Sequence, residues 1–359
     1  MNNDESSKSV SDIQFAKALK AIRAVVSEEE FAKILGSLAS EEEASTLAEK
    51  IAGLTEEDEF AVLCRLMDTV SHISALEQAP IIPGGAITPD FLVRFQPGLW
   101  CEGKQKEHHQ GFPCLVEVKS TSNVEWHISG SRLKKRRNFA AAFGLPLLFA
   151  VRFTKFPSNA CWVIVHDDDW TKNRIDVGVG DLTSSLRHIL FNEYWYMLHP
   201  GTSFEQRFDT DVSCEGAGHA QYGSLVAFQI LTPEAAISFE GEEATLWSAF
   251  FEAFRLEETE KAYDASQTIV RLEPGVDACS IVDLVYCFNC LPTDEAGNRS
   301  YDPSRSIAHA DRDPKALLIA NRDSIAACGR TMQKLGVLWL TGVQDPEQHA
   351  RRWRQYGGT

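Results

Sequence analysis

The chain is short of positive charge. Its 359 residues carry 35 Lys and Arg against 51 Asp and Glu, a net charge of −16. Proteins that coat nucleic acid without selectivity are basic, so that class is excluded; a local basic face on an acidic chain is not. Long apolar runs are missing too: none approaches the roughly 20 residues of a membrane-spanning helix. The N-terminal MNNDESSKSVSD is polar and has no apolar signal core. No membrane role is expected, and the expected location is cytoplasmic, or nuclear if the source has a nucleus. Nine cysteines, an odd number without a secretion signal, do not make a disulfide framework. Cys287 and Cys290 have the spacing of half a zinc site. Cys279, His309 and Cys328 could complete it, but no second pair has ligand spacing, so reduced cysteines in ordinary packing are expected. There is no P-loop, no dinucleotide-binding glycine pattern and no GxSxG.

What is present is an ordinary globular composition, 44% hydrophobic and 24% charged, long enough for two or three domains. Residues 12–53 have helical periodicity, and Ser27-Glu-Glu-Glu30 and Ser40-Glu-Glu-Glu43 match the capping box. Thr55-Glu-Glu-Asp58 is a weaker variant. These acids suit helix N-termini and need no functional explanation. Residues 1–56 are therefore expected to form an acidic helical bundle. A helix is expected over Glu59–Glu77, then, after the breakers Pro80, Pro83, Gly84 and Gly85, strands at Ile87–Phe95 and Cys114–Val118. A very short strand at Ile81–Ile82 would precede them. Ser129–Phe143 reads as a helix ended by Gly144 and Pro146, and Leu147–Phe153 and Ala160–His166 as two further strands. An aromatic-rich helix over 182–199 would close this unit, 57–200. Residues 201–359 read as an α/β accessory domain, with a strand at Leu225–Leu231, a helix over Thr245–Ala265 and a final helix–strand pair.

Asp90 follows Pro89 at the start of a strand, and Glu117 and Lys119 lie in the strand-like LVEVKS. Residues two apart on a strand share a face, so Glu117 and Lys119 project together while Val116 and Val118 face an apolar layer. Burying a carboxylate and an ammonium is costly unless they are paired or bind metal. Two converging carboxylates can hold Mg²⁺ or Mn²⁺ through oxygen. Such a metal supports phosphodiester hydrolysis by activating water and stabilising charge on phosphorus, and a lysine can orient the nucleophile or neutralise that charge. The bland alternative is a solvent-facing Glu117–Lys119 pair on an edge strand, with Pro89-Asp90 as a turn.

Pro89-Asp90, then Glu117-Val118-Lys119 27 positions on, resembles the pattern of the PD-(D/E)XK nuclease superfamily. VEVKSTSN followed by a basic helix is similar to its archaeal Holliday-junction-resolvase and restriction-endonuclease branches. The resemblance covers about residues 57–166. It implies a restriction-endonuclease-like αβββαβ core and a metal-dependent endonuclease with Asp90 and Glu117 as metal ligands and Lys119 as the catalytic lysine. It also implies a nucleic-acid substrate, DNA ahead of RNA, in restriction, defence or repair; a homodimer is compatible with it. Family members place a further acid on the helix before the first strand, for which Glu77 is the first choice, with Asp68 and Glu59 competing.

Beyond the motif, Arg132, Lys134, Lys135, Arg136 and Arg137 form a basic cluster on the next helix, suited to phosphate contacts. Arg132, Lys135 and Arg136 would share a face, with Leu133, Phe139, Ala140 and Phe143 on the buried one. His127, the His108-His109 pair and Asp167-Asp-Asp169 are weaker candidates, expected to be ordinary loop or turn residues. Two rival readings stand beside the nuclease. One is an inactive nuclease fold that binds nucleic acid or assembles with partners; the other is an interaction protein acting through its acidic bundle or C-terminal domain.

Overall fold

The computed structural model describes residues 10–23, 26–38, 56–77, 85–96, 111–156, 159–169, 174–212, 218–219, 221–264, 266–290, 303–304, 307 and 320–342. The chain divides into two compact units: the first comprises Met1–Asn192, Tyr301–Ile319 and Gln344–Thr359, and the second comprises Glu193–Ser300 and Ala320–Val343. Both mix helices with sheets.

The first unit opens with α1 (Val10–Arg23) and α2 (Glu28–Leu38). The Ser27–Glu30 capping box is formed: the Ser27 amide donates to Glu30 Oε2 at 3.0 Å and the Glu30 amide to Ser27 Oγ at 3.2 Å. Leu19 and Phe31 are the buried pair between these helices. The second expected capping box, Ser40–Glu43, lies outside the described residues. Helix α3 spans 56–66. It is much shorter than the helix expected over Glu59–Glu77, because the chain turns at Asp68 (φ 50°) and β1 (Val70–Ala75) follows.

A five-stranded sheet forms the centre. It contains β1, β2 (Phe91–Phe95), β3 (Phe112–Thr121), β5 (Leu147–Phe153) and β6 (Trp162–His166), in the order β1-β2-β3-β5-β6; β4 (Glu125–Ile128) pairs instead with β7 (Ile175–Gly178). β1, β2 and β3 are antiparallel neighbours, β3 and β5 are parallel, and β6 returns antiparallel. The parallel step needs a crossover, supplied by α4 (Gly130–Phe143). That helix ends where Gly144 adopts φ 63° and its amide caps the Ala140 and Ala141 carbonyls.

Both sheet faces are covered, so β5 and β6 read as continuous apolar runs instead of alternating ones. On one face, Leu133 and Ala140 of α4 join Leu115, Phe149, Val151, Val163 and Val165 in a core cluster. On the other, Phe60 of α3 packs against Phe91, Trp162 and Phe191. Beneath α3, buried Arg152 donates to Glu59 Oε1 at 2.7 Å, and Trp162 Nε1 donates to the same oxygen at 3.1 Å. Phe143, expected on the buried face of its helix, is 64% exposed. The helix expected over 182–199 is instead a 3-10 turn (Val179–Ser184), the short helix α5 (Arg187–Leu190) and strand β8 (Tyr194–Leu198).

In the second unit β9 (Ser203–Asp209), with β11 (Gly223–Leu231) and β14 (Gln267–Pro274) on either side, is the middle of a six-stranded antiparallel sheet in which β10 (Gly218–His219) and β12 (Ala236–Glu240) pair with β11. Phe204, Phe228, Phe250, Phe251 and Phe254 fill its core. The helix expected over Thr245–Ala265 stops early: α6 is Gly241–Phe251, and Leu256–Asp264 is strand β13, paired with β14. The expected strand at Leu225–Leu231 lies within β11, and Ile281–Cys290 is helix α7. The final pair is α8 (Arg322–Lys334) and β16 (Leu338–Gly342), which with β15 (Ala278–Ser280) flanks β8 in a three-stranded sheet. Among the described residues, no helix is long and apolar enough to cross a membrane.

Candidate active site

The sheet register brings the motif residues together. Phe91 of β2 pairs with Val116 of β3 in antiparallel register, which puts Asp90 opposite Glu117. The Asp90 segment is pinned on both sides: its carbonyl accepts from the Leu76 amide at 2.9 Å, and the Ile87 amide donates to the Lys135 carbonyl of α4 at 3.1 Å. Across the strand, the Val118 amide donates to Asp90 Oδ2 at 2.8 Å. β3 is the central strand and Glu117 is 1% exposed, so the edge-strand, solvent-facing alternative does not describe this structure.

Four charged side chains meet at this point. Lys119 Nζ lies 2.6 Å from Glu117 Oε1 and 3.8 Å from Asp90 Oδ2, and it donates to the Val118 carbonyl at 2.7 Å. Arg136 Nη2 of α4 lies 2.5 Å from the same Glu117 Oε1. Two cations thus share one oxygen, while Glu117 Oε2 is buried with no hydrogen-bond partner among the described residues. Buried Arg136 Nε has no acceptor there either.

The electrostatics follow from that crowding. Burial pushes the Asp90 carboxyl up to about 8; the charges of Glu117 and Glu57 add to this, against the opposing pull of Lys119 and the Val118 amide. Burial also works against the Glu117 carboxylate, but Lys119 and Arg136 outweigh it and hold that group below the usual carboxylate range. Lys119 loses charge stability by burial and regains more from Glu117 and Asp90, so its ammonium titrates above the ordinary lysine range. Without a further cation, Asp90 is thus mostly protonated at neutral pH and Glu117 is ionised.

Glu57, in the first turn of α3, is the acid that sequence reasoning missed. Its charge acts on Asp90, and it feels Lys119, together with Lys17 and Lys20 of α1. Burial raises its own carboxyl above the usual range, with those lysines opposing. Its signal lay in Thr55-Glu-Glu-Asp58, where helix capping already accounted for the acids. Glu77, the acid expected at this point, is exposed and follows β1, because the helix meant to carry it ends at 66. Asp68 is exposed in the turn, and Glu59 holds Arg152.

The basic helix divides in two. Arg132, Lys134 and Lys135 are exposed. Arg136 turns inward to Glu117, so it does not share an outer face with Arg132 and Lys135. Arg137 donates to Asp167 Oδ2 at 2.9 Å and to the Asp167 carbonyl at 2.6 Å. Asp167 belongs to the one group of three or more His, Cys, Asp or Glu side chains whose ligand atoms lie within 4.8 Å of one another among the described residues: His166, Asp167 and Asp168. The run that read as a polar turn is a 3-10 turn, and buried His166 Nδ1 accepts from the Asp168 amide at 3.0 Å. His127 is exposed on β4. His108, His109, His309 and the Ile81–Ile82 strand lie outside the described residues. Cys279, Cys287, Cys290 and Cys328 are not joined in disulfides, and burial pushes the Cys279, Cys287 and Cys328 thiols up.

No protein-family model matches the chain. No curated protein matches it either. Eight solved chains do match. One is the Holliday junction resolvase Hjc of Archaeoglobus fulgidus, at 16% identity over 34% of this chain and 85% of that one, with a TM-score of 0.24. A likeness of that size carries no weight in assigning the site, which stands on its own geometry.

Proposed function

We propose that the first unit is a metal-dependent phosphodiesterase acting on nucleic acid, with DNA ahead of RNA, and that Asp90, Glu117 and Lys119 form its active centre. The observation that carries this reading is the unbalanced buried carboxylate pair. Glu117 Oε2 is sealed from solvent without a partner among the described residues, opposite an Asp90 carboxyl pushed up to about 8. A purely structural ion cluster gains nothing from such an arrangement; an apolar set of similar volume would be as stable or more so. A divalent cation held by oxygens of Asp90 and Glu117 removes both deficits. The donor set, hard carboxylates on rigid strands, suits Mg²⁺ or Mn²⁺. The order of α3, three antiparallel strands, α4 and a parallel strand is the αβββαβ order expected of the PD-(D/E)XK fold.

When bound, the metal supplies a Lewis acid for the phosphoryl oxygen and lowers the pKa of coordinated water. The chain's own residues do the rest. The Val118 amide fixes Asp90, so the two carboxylates converge without reorganisation. Lys119, anchored on the Val118 carbonyl and Glu117, holds a positive charge where a water and the phosphate would meet. Glu57 adds negative charge from the helix side and offers a third oxygen donor. Arg132, Lys134 and Lys135 present exposed charge for flanking phosphates, and this local face offsets the overall acidity.

The test is cleavage of supercoiled, linear and branched DNA and of RNA with Mg²⁺ or Mn²⁺, comparing wild type with Asp90→Ala, Glu117→Gln and Lys119→Ala. Each substitution is expected to reduce the rate by roughly 10²–10⁴-fold. Equal rates in all four proteins would overturn the assignment. Metal-independent binding of nucleic acid without cleavage would favour an inactive nuclease fold.

A further inference from the structure

We propose that Arg136 is an exchangeable counter-cation: it occupies Glu117 while the site is metal-free and transfers to a phosphate oxygen when a divalent cation takes Glu117. This rests on the reading of the site as a metal-dependent phosphodiesterase and assigns Arg136 a role distinct from that of the other bases on its helix.

The geometry of the pair points to it. Arginine meets a carboxylate best through two parallel bonds from its Nε and Nη edge. Here Nη2 reaches Glu117 Oε1 at 2.5 Å, and Lys119 uses that same oxygen at 2.6 Å. Nη1 is turned back to the Arg132 carbonyl at 3.3 Å. Among the described residues the second bond of the fork is absent: Nε has no acceptor and Glu117 Oε2 has no donor, although both atoms are buried. A structural ion pair would close that fork, because an unmade buried hydrogen bond costs more than a made one returns. The unused acceptor is what an incoming cation needs, and the unused donor edge is what an incoming phosphate oxygen needs.

The positions of the neighbours support an exchange instead of a vacant second site. Arg137, the next residue, is held on Asp167 by two bonds, so it fixes the helix while Arg136 can exchange. Lys119 stays on Glu117 and on the Val118 carbonyl, so removal of Arg136 does not strip the carboxylate of all compensation. A divalent ion on Glu117 repels the guanidinium and at the same time draws in the anion to which the guanidinium can turn. Metal and phosphate binding are then positively coupled through one side chain.

The experiment uses the full chain, with Mn²⁺ titrated calorimetrically in the absence of nucleic acid. DNA binding is read by anisotropy with and without Ca²⁺, in wild type, Arg136→Gln and Arg136→Lys. Arg136→Gln removes the competing charge and is expected to tighten Mn²⁺ binding on the order of fivefold while losing most of the Ca²⁺-dependent gain in DNA affinity. Arg136→Lys keeps the charge but not the Nε and Nη edge. Its Mn²⁺ affinity is expected to stay within about twofold of wild type, and its Ca²⁺–DNA coupling to fall as in Arg136→Gln. Unchanged or weaker Mn²⁺ binding in Arg136→Gln, or full coupling in Arg136→Lys, would overturn the proposal. If wild type binds no Mn²⁺, or binds it undiminished after Asp90→Ala, the phosphodiesterase reading itself fails. If wild type binds Mn²⁺ and cleaves while both Arg136 variants match it, only the exchange fails.

Discussion

Replacing Asp90 by Asn should stabilise the metal-free protein, and the gain should grow with pH. The native carboxyl titrates at about 8, whereas an exposed aspartate titrates near 3.8. Between those values the unfolded chain has released its proton and the native chain retains it. The native state therefore binds more protons, and stability falls as pH rises through the window. Each pH unit costs about 1.4 kcal/mol for that one proton, so the loss is roughly 2 kcal/mol at pH 5 and on the order of 5 kcal/mol at pH 8. Asn cannot ionise, and its amide oxygen can still accept from the Val118 amide, which donates to Asp90 Oδ2 at 2.8 Å. Its NH₂ group adds a cost that is the same at every pH, so the difference between the two pH values, about 3 kcal/mol, is the diagnostic quantity. Native-state hydrogen exchange on β3 and β5 amides, in chelator and corrected for the intrinsic rate at each pH, measures it in the unit that contains the site. A gain equal at pH 5 and pH 8, or a variant less stable than wild type at pH 8, would refute the claim that Asp90 sits protonated in the fold. Added Mn²⁺ should reverse the order, because only the wild-type carboxylate can bind it.

Three further outcomes follow from named contacts. Arg152→Met leaves the largely covered Glu59 beside Trp162 without the cation it holds and should cost about 3–5 kcal/mol in urea unfolding; a loss under 1 kcal/mol would mean that the pair is solvated. Gly329→Ala would place a Cβ 2.2 Å from the Tyr196 ring and hydroxyl, and should destabilise the second unit by roughly 1–3 kcal/mol, read as a lower Tm. An unchanged Tm would show that Tyr196 moves freely. Glu57→Gln removes a charge that raises Asp90, so the midpoint for pH-dependent Mn²⁺ uptake should move to lower pH; no movement would separate Glu57 from the site.

The strands of the first unit were legible because their side chains are dictated by burial on two faces. The stretches expected at 147–153 and 160–166 match β5 and β6 to within two residues, and the one expected at 87–95 contains β2, which starts only at Phe91. Elsewhere local preference loses to tertiary pairing. Val70–Ala75 is short and follows a helix without a Gly or Pro, so its β-branched content was absorbed into that helix; Asp68, at φ 50°, makes the break. The glutamates of Leu256–Asp264 favour a helix, but pairing with β14 holds the segment extended. Tyr194–Leu198 is likewise a strand, set off by Asn192 at φ 55°.

The candidate site was only half legible for a related reason. A strand sends alternate residues to one face, so Glu117 and Lys119 announce themselves as a pair. A helix rotates about 100° per residue, so neighbours in a charged run face different surroundings. In the first turn of α3, Glu57 acts on Asp90, Asp58 pairs with Lys20 at 2.8 Å, and Glu59 holds Arg152 at 2.7 Å. On α4, Arg136 takes Glu117 and Arg137 takes Asp167, while Arg132, Lys134 and Lys135 face outward. Composition marks both runs as charged but cannot say which member points inward. That assignment depends on the angle at which each helix meets the sheet, fixed here by Phe60 against Phe91 and Trp162 and by Leu133 and Ala140 on the opposite face. Apolar residues that touch no substrate thus select which acid and which base enter the site. Substitutions at Phe60 or Leu133 should therefore disturb metal binding along with stability.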